Sequence, residues 1–118
     1  MKLTRDEDKL ICVLYREYLK AIDNGAPREK ATAFGHSVDI QKSLLPGIDP
    51  EQVAADCIRL RDEGFIGCFQ AKNIAYTVQL ENKGIRQMEK RFPKGLEKLE
   101  EYMVQTLEMA QDGYALFK

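Results

Sequence analysis

Catalysis or metal binding needs side chains that can attack, relay a proton or coordinate an ion, and this sequence supplies few of them. Cys12, Cys57 and Cys68 are odd in number and show no CxxC spacing, which argues against a disulfide framework and a zinc site. Each stands beside apolar residues (Ile11 and Val13, Ile58, Phe69), so buried structural thiols are expected, since a free cysteine behaves as a small apolar side chain. A cysteine nucleophile would want a histidine base. The chain has only His36, after Phe34-Gly35, where a polar loop residue is expected. Carboxylates are plentiful but form no paired acid–base signature, and there is no glycine-rich phosphate loop, HExxH or GxSxG. No enzyme is expected, and no cofactor, metal or small-molecule ligand can be read.

What remains is charge. The 18 basic and 19 acidic residues leave a net −1, without the basic excess of a typical nucleic-acid binder. The distribution is uneven. Residues 49–64 hold Arg59 and Arg61 against Asp49, Glu51, Asp56, Asp62 and Glu63, net −3. Residues 83–95 hold Lys83, Arg86, Lys90, Arg91 and Lys94 against Glu89, net +4. Residues 96–118 return to −3. At 44% hydrophobic and 31% charged, the 118 residues suit one folded domain rather than a disordered chain. No uncharged apolar run approaches the roughly 18 residues of a membrane span. Met1 to Lys9 turns charged at once. A soluble, cytoplasmic protein with no membrane partner is expected.

The elements that must position these charges follow from periodicity. Thr4-Arg5-Asp6-Glu7 fits a capping box, and Leu10, Ile11, Leu14, Tyr18, Leu19 and Ile22 recur at helical steps, so residues 5–23 are expected to form a helix with one buried face. Arg28 to Phe34 reads as a short helix closed by Gly35, and Ser37 to Leu45 as a second. Asp49-Pro50-Glu51 starts another helix, ended at Glu63-Gly64. Phe65–Phe69 and Ile74–Leu80 read as strands, with Ile74, Tyr76, Val78 and Leu80 on one face and Gln70 to Asn73 as the hairpin loop. Residues 82–92 return to helix, broken at Pro93. Leu96, Leu99, Met103, Thr106 and Ala110 then fall on heptad steps, and Leu107 widens the stripe. The segment Asp112 to Lys118 is apolar enough to dock.

Two glycine junctions flank the hairpin. Leu60-Arg61-Asp62-Glu63-Gly64-Phe65-Ile66 resembles the junction where the third helix of a winged helix-turn-helix domain runs into its wing. Leu80-Glu81-Asn82-Lys83-Gly84-Ile85 resembles the junction that leaves the wing, with Glu81 where threonine is common. The whole chain is similar to the YjcQ-like group of small winged-helix proteins of Gram-positive bacteria and their phages. The helix after Pro93 resembles the dimerisation helices of PadR-type and MarR-type regulators. The resemblance implies an α+β winged-helix domain over residues 1–92, followed by a dimerisation helix and tail over 93–118.

It also implies a dimeric, DNA-binding transcriptional regulator. The third helix of such proteins enters the major groove. Gln52 and Arg59 would then read adenine and guanine, and Arg28, Lys30, Lys42 and Lys72 would contact phosphates. Glu51, Gln52, Ala55, Asp56 and Arg59 are expected to face solvent. Leu96, Leu99, Met103 and Leu107 are expected to form the seam with a second subunit, although packing on the first helix of the same chain is the other way to bury them. The acidic third helix favours an alternative: a winged-helix protein–protein interaction module, encoded by a phage or its host, that does not bind DNA.

Overall fold

The computed structural model describes residues 2–109; Ala110 and the segment Asp112 to Lys118 lie outside the described residues. The chain is α+β. It runs α1 (Arg5–Asp23), α2 (Arg28–Ala31), β1 (Ala33–Gly35), α3 (Ser37–Leu44), α4 (Pro50–Asp62), β2 (Ile66–Ala71), β3 (Ile74–Leu80), α5 (Asn82–Arg91) and α6 (Leu96–Gln105). The three strands form one antiparallel sheet in the order β1-β3-β2.

α1 is the axis of the molecule. Its capping box closes as expected: the Glu7 N–H donates to Thr4 Oγ1, and the Thr4 N–H donates to Glu7 Oε1, both at 3.1 Å. Leu10 through Tyr15 are each at most 2% exposed, so the middle of α1 is buried all round rather than on one face. The reason is that α2, α4, α5 and α6 all pack against it.

Two chain segments differ from their expected form. The expected helix over 28–34 is a single turn, α2, and Ala33–Gly35 is a strand on the outer edge of β3. Three residues are too few to show a two-residue period, and the pairing is fixed from elsewhere: the Leu80 N–H donates to the Thr32 carbonyl at 2.9 Å. In β3 the expected alternation breaks. Thr77 adopts φ 56°, and the register slips so that Thr77 and Val78 together oppose Cys68. Ala75, Val78 and Leu80 therefore point into the core, and Tyr76 is only half-buried. The hairpin turn is the two residues Lys72 and Asn73, both with positive φ. That geometry matches the twist of the strands it joins.

The two glycine junctions have different causes. Gly64 (φ 84°) is the left-handed residue that ends α4, with the Phe65 N–H reaching back to the Leu60 carbonyl. Gly84 lies on α5 where a Cβ would come within 2.3 Å of the Phe65 carbonyl oxygen, so only glycine lets α5 approach the hairpin.

Within the single chain, α6 takes the second of its two expected partners, α1. Leu99, Met103 and Leu107 are each at most 3% exposed within the single chain, and α6 packs on α1. Leu96, at the start of α6, is half-buried. Leu99, Met103 and Leu107 are therefore covered by packing within the chain. A polar latch fixes the arrangement. Arg91 grips both Asp8 carboxylate oxygens, at 2.7 and 3.2 Å, while the Tyr102 hydroxyl donates to the same carboxylate at 2.5 Å. The guanidinium also lies 5.0 Å over Phe92 and 5.2 Å over Tyr102. Burial pushes the Asp8 carboxyl up, but the Arg91 and Tyr102 hydrogen bonds outweigh it and hold it below its usual value. Among the described residues, no helix is long and apolar enough to cross a membrane.

Candidate functional site

The site is built on α4. The Asp49 carboxylate accepts from the Glu51 and Gln52 N–H groups at 3.1 and 3.3 Å, and Pro50 starts the helix. Val53, Ala54, Cys57 and Leu60 turn one side into the core. The other side carries Glu51, Gln52, Ala55 and Arg59, all exposed, and forms the floor of a groove. The start of α1 is one wall and the hairpin is the other. A hollow of about 390 Å³ is lined by Thr4, Glu7, Asp56, Arg59 and Gln70 among others. A second, of about 260 Å³, continues past Glu51, Ala55 and Ile58 to Asn73 and Ile74.

Its electrostatics are dominated by two buried carboxylates. Glu7 and Asp56 are each only 3% exposed. Asp56 was expected to face solvent, and the structure corrects this: its carboxyl lies between α4 and the start of α1, accepting from Gln52 Nε2 at 2.9 Å. Burial pushes the Asp56 carboxyl up to about 6, and the nearby Asp6 and Glu7 charges push the same way. The Gln52 hydrogen bond and Arg59 only partly oppose this. Arg59 is the one cation lining this hollow, and its Nε lies 3.7 Å from Glu7 Oε2.

The expected DNA-contact residues are not brought together. Gln52 and Arg59 share the groove: Gln52 donates to Asp56, and Arg59, its side chain 66% exposed, lies with its Nε 3.7 Å from Glu7 Oε2. Arg28 belongs to a different hollow and donates to Tyr18 and to Asn82 at the start of α5. Lys30 on α2, Lys42 on α3 and Lys72 at the hairpin tip are exposed, and none of the three lines the groove. Within the basic run, Lys83 donates to the Glu63 carbonyl at 2.7 Å and lies over the Phe65 ring, sealing the end of α4. Arg91 is spent on Asp8, which leaves Arg86, Lys90 and Lys94 exposed.

Sequence reasoning missed Glu7 as a groove wall and Asp56 as a buried group. At about 100° per residue Asp56 sits about 40° from buried Leu60 and the same angle from exposed Gln52, so helical spacing alone did not decide its face. The thiols offer no reactivity. Cys12 and Cys57 are buried and Cys68 half-buried; burial raises all three, Cys57 to about 12. Among the described residues no group of three His, Cys, Asp or Glu side chains could hold a metal ion. Compared with known protein families, curated proteins and solved structures, the chain matches none, so its function must be argued from this groove.

Proposed function

We propose that this protein is a winged helix-turn-helix domain that works as a protein–protein interaction module, its α4 groove taking a cationic segment of a partner protein. The fold reading is supported by the element order and by the β1-β3-β2 sheet, whose hairpin stands in the place of a wing. The functional reading is carried by one observation: the face of α4 that a DNA reader would present to the duplex is acid-lined. Glu51 is exposed there, Asp56 and Glu7 are buried beneath, and Arg59, the cation of this face, lies 3.7 Å from Glu7. Phosphate neutralisation supplies most of the sequence-independent affinity for DNA, and this face provides the opposite charge. A lysine-rich helix or extended chain would meet carboxylates at the walls and Ala55 and Ile58 on the floor.

The test is fluorescence anisotropy with a labelled amphipathic peptide of alternating lysine and leucine pairs. Binding is expected in the micromolar range, weakening several-fold with Glu51→Lys and with added salt. Indifference to Glu51→Lys would overturn the reading. The regulator reading is favoured by a different observation: Lys30, Lys42 and Lys72 are exposed and, among the described residues, make no ion pair. It requires a DNA complex with a shallow salt slope of about −2 to −4, since each phosphate contact adds about one unit.

A further inference from the structure

The sheet has an unprotected edge. Its order leaves β1 and β2 as the outer strands, and β1 is only three residues long. β2 has six residues. From Phe65 to Ala71 the chain carries no charge and no proline. Natural edges are blunted by charge, proline or a bulge. The bulge in this sheet lies on the central strand, at Thr77, whose N–H is taken by His36 Nδ1 at 3.1 Å, so β2 itself runs unbroken. Among the described residues, no hydrogen bond joins the backbone of 66–71 to anything except β3. Phe69, in the middle of the strand, is 67% exposed, and the Tyr76 ring lies beside it at 6.4 Å.

We infer that β2 pairs with β2 of a second copy of this chain, antiparallel about a two-fold axis, joining two three-stranded sheets into one of six. The choice of occupant follows from charge. A two-fold interface lays a surface against itself. The α4 face is acidic and the outer face of α5, with Arg86, Lys90 and Lys94, is basic, so each repels its own copy. The apolar face of α6 is already buried on α1. β2 itself carries no charged residue, though the Glu81 carboxylate lies against Gly67 and Arg61 and Asp62 lie near Cys68; the strand offers unpaired backbone groups and places Phe69 where the second hairpin would cover it.

The test is sedimentation equilibrium of the full chain from about 1 to 300 μM, a range that spans weak standard interfaces. The mass is expected to rise from 13.5 kDa towards twice that value. The rise should persist when salt increases from about 0.05 to 1 M, because backbone hydrogen bonds and Phe69, not ion pairs, join the two copies. Phe69→Lys should hold the mass at the monomer value with an unchanged circular dichroism melt, the side chain being exposed. Amide exchange at 66–71 should slow with protein concentration in the unmodified chain and not in that variant. A monomer throughout the range would overturn the inference, as would a dimer undiminished by Phe69→Lys. So would an association lost at high salt, which would mark contact between the acidic and basic faces instead.

Discussion

At the scale of single residues, Asp56 is the most consequential side chain. Its carboxyl is pushed up to about 6 by burial, against an ordinary value of 3.8. The folded state therefore holds this proton more tightly than the unfolded chain does. Stability from this group is full below pH 3.8 and is lost as pH rises through about 6. Asp56→Asn keeps an acceptor for Gln52 and removes the buried charge. It should stabilise the protein at pH 7 by on the order of 2 kcal/mol, an advantage that vanishes by about pH 4 in urea melts at the two values. A loss of stability at pH 7 would show that the folded protein compensates the Asp56 charge. Gly84 gives a prediction of opposite sign. With the Phe65 carbonyl oxygen 2.3 Å from the position of a Cβ, Gly84→Ala must push α5 off the hairpin. A cost of about 2–4 kcal/mol is expected from thermal melts, despite the better helix propensity of alanine. The glycine itself was legible in the sequence as half of a junction; the carbonyl it makes room for was not.

At the scale of elements, what could be read depended on how much pattern each segment carried. α1, α4 and the hairpin are long enough, and capped clearly enough by Thr4, Asp49 and Gly64, for residue order to place them. β1 was illegible because three residues carry no period. Tyr76 was assigned to the wrong face because one left-handed residue, Thr77, reverses the alternation, and nothing in a threonine announces a positive φ. α6 shows a different limit. A heptad stripe says that a face is buried, not against what, and a seam with a second subunit and packing on α1 predict the same apolar spacing. The structure places Leu99 and Met103 at 0% and 1% exposure inside one chain. Replacing both by Asp should therefore not yield a well-folded monomer. It should detach α6 or unfold the domain, since large-to-small changes alone at such sites cost about 2–5 kcal/mol and a buried charge costs more. Circular dichroism separates the outcomes: native helicity and melting in that variant would return the stripe to a subunit interface. The latch gives a milder check, with Tyr102→Phe expected to cost about 1–2 kcal/mol through loss of its bond to the Asp8 carboxylate.

At the scale of the whole molecule, a net charge of −1 conceals an acidic groove on α4 and a basic outer face on α5. The sequence showed this separation as segment sums, and the structure adds that Arg59 is paired with Glu7 at 3.7 Å and Asp56 is sunk beneath the groove. A cation docked there favours the ionised form of Asp56. Binding of a lysine-rich peptide should therefore tighten as pH rises through about 6, and Asp56→Asn should abolish that dependence while leaving the fold intact. A groove that did not contact the peptide would give a flat pH profile in both proteins.

The central claim is that α4 presents its acidic face to protein and not to DNA, and a titration of labelled random-sequence duplex at about 50 mM salt tests it most directly, because phosphate contacts are at their strongest there. The unmodified protein is expected to leave the anisotropy unchanged at tens of micromolar, the weak end of the usual non-specific range at physiological salt. Glu51→Lys with Ala55→Lys, both at exposed positions, is expected to create measurable binding. Micromolar binding by the unmodified chain, weakened by Lys30→Ala, Lys42→Ala or Lys72→Ala and indifferent to the α4 changes, would contradict the account and return the protein to the DNA-binding regulators.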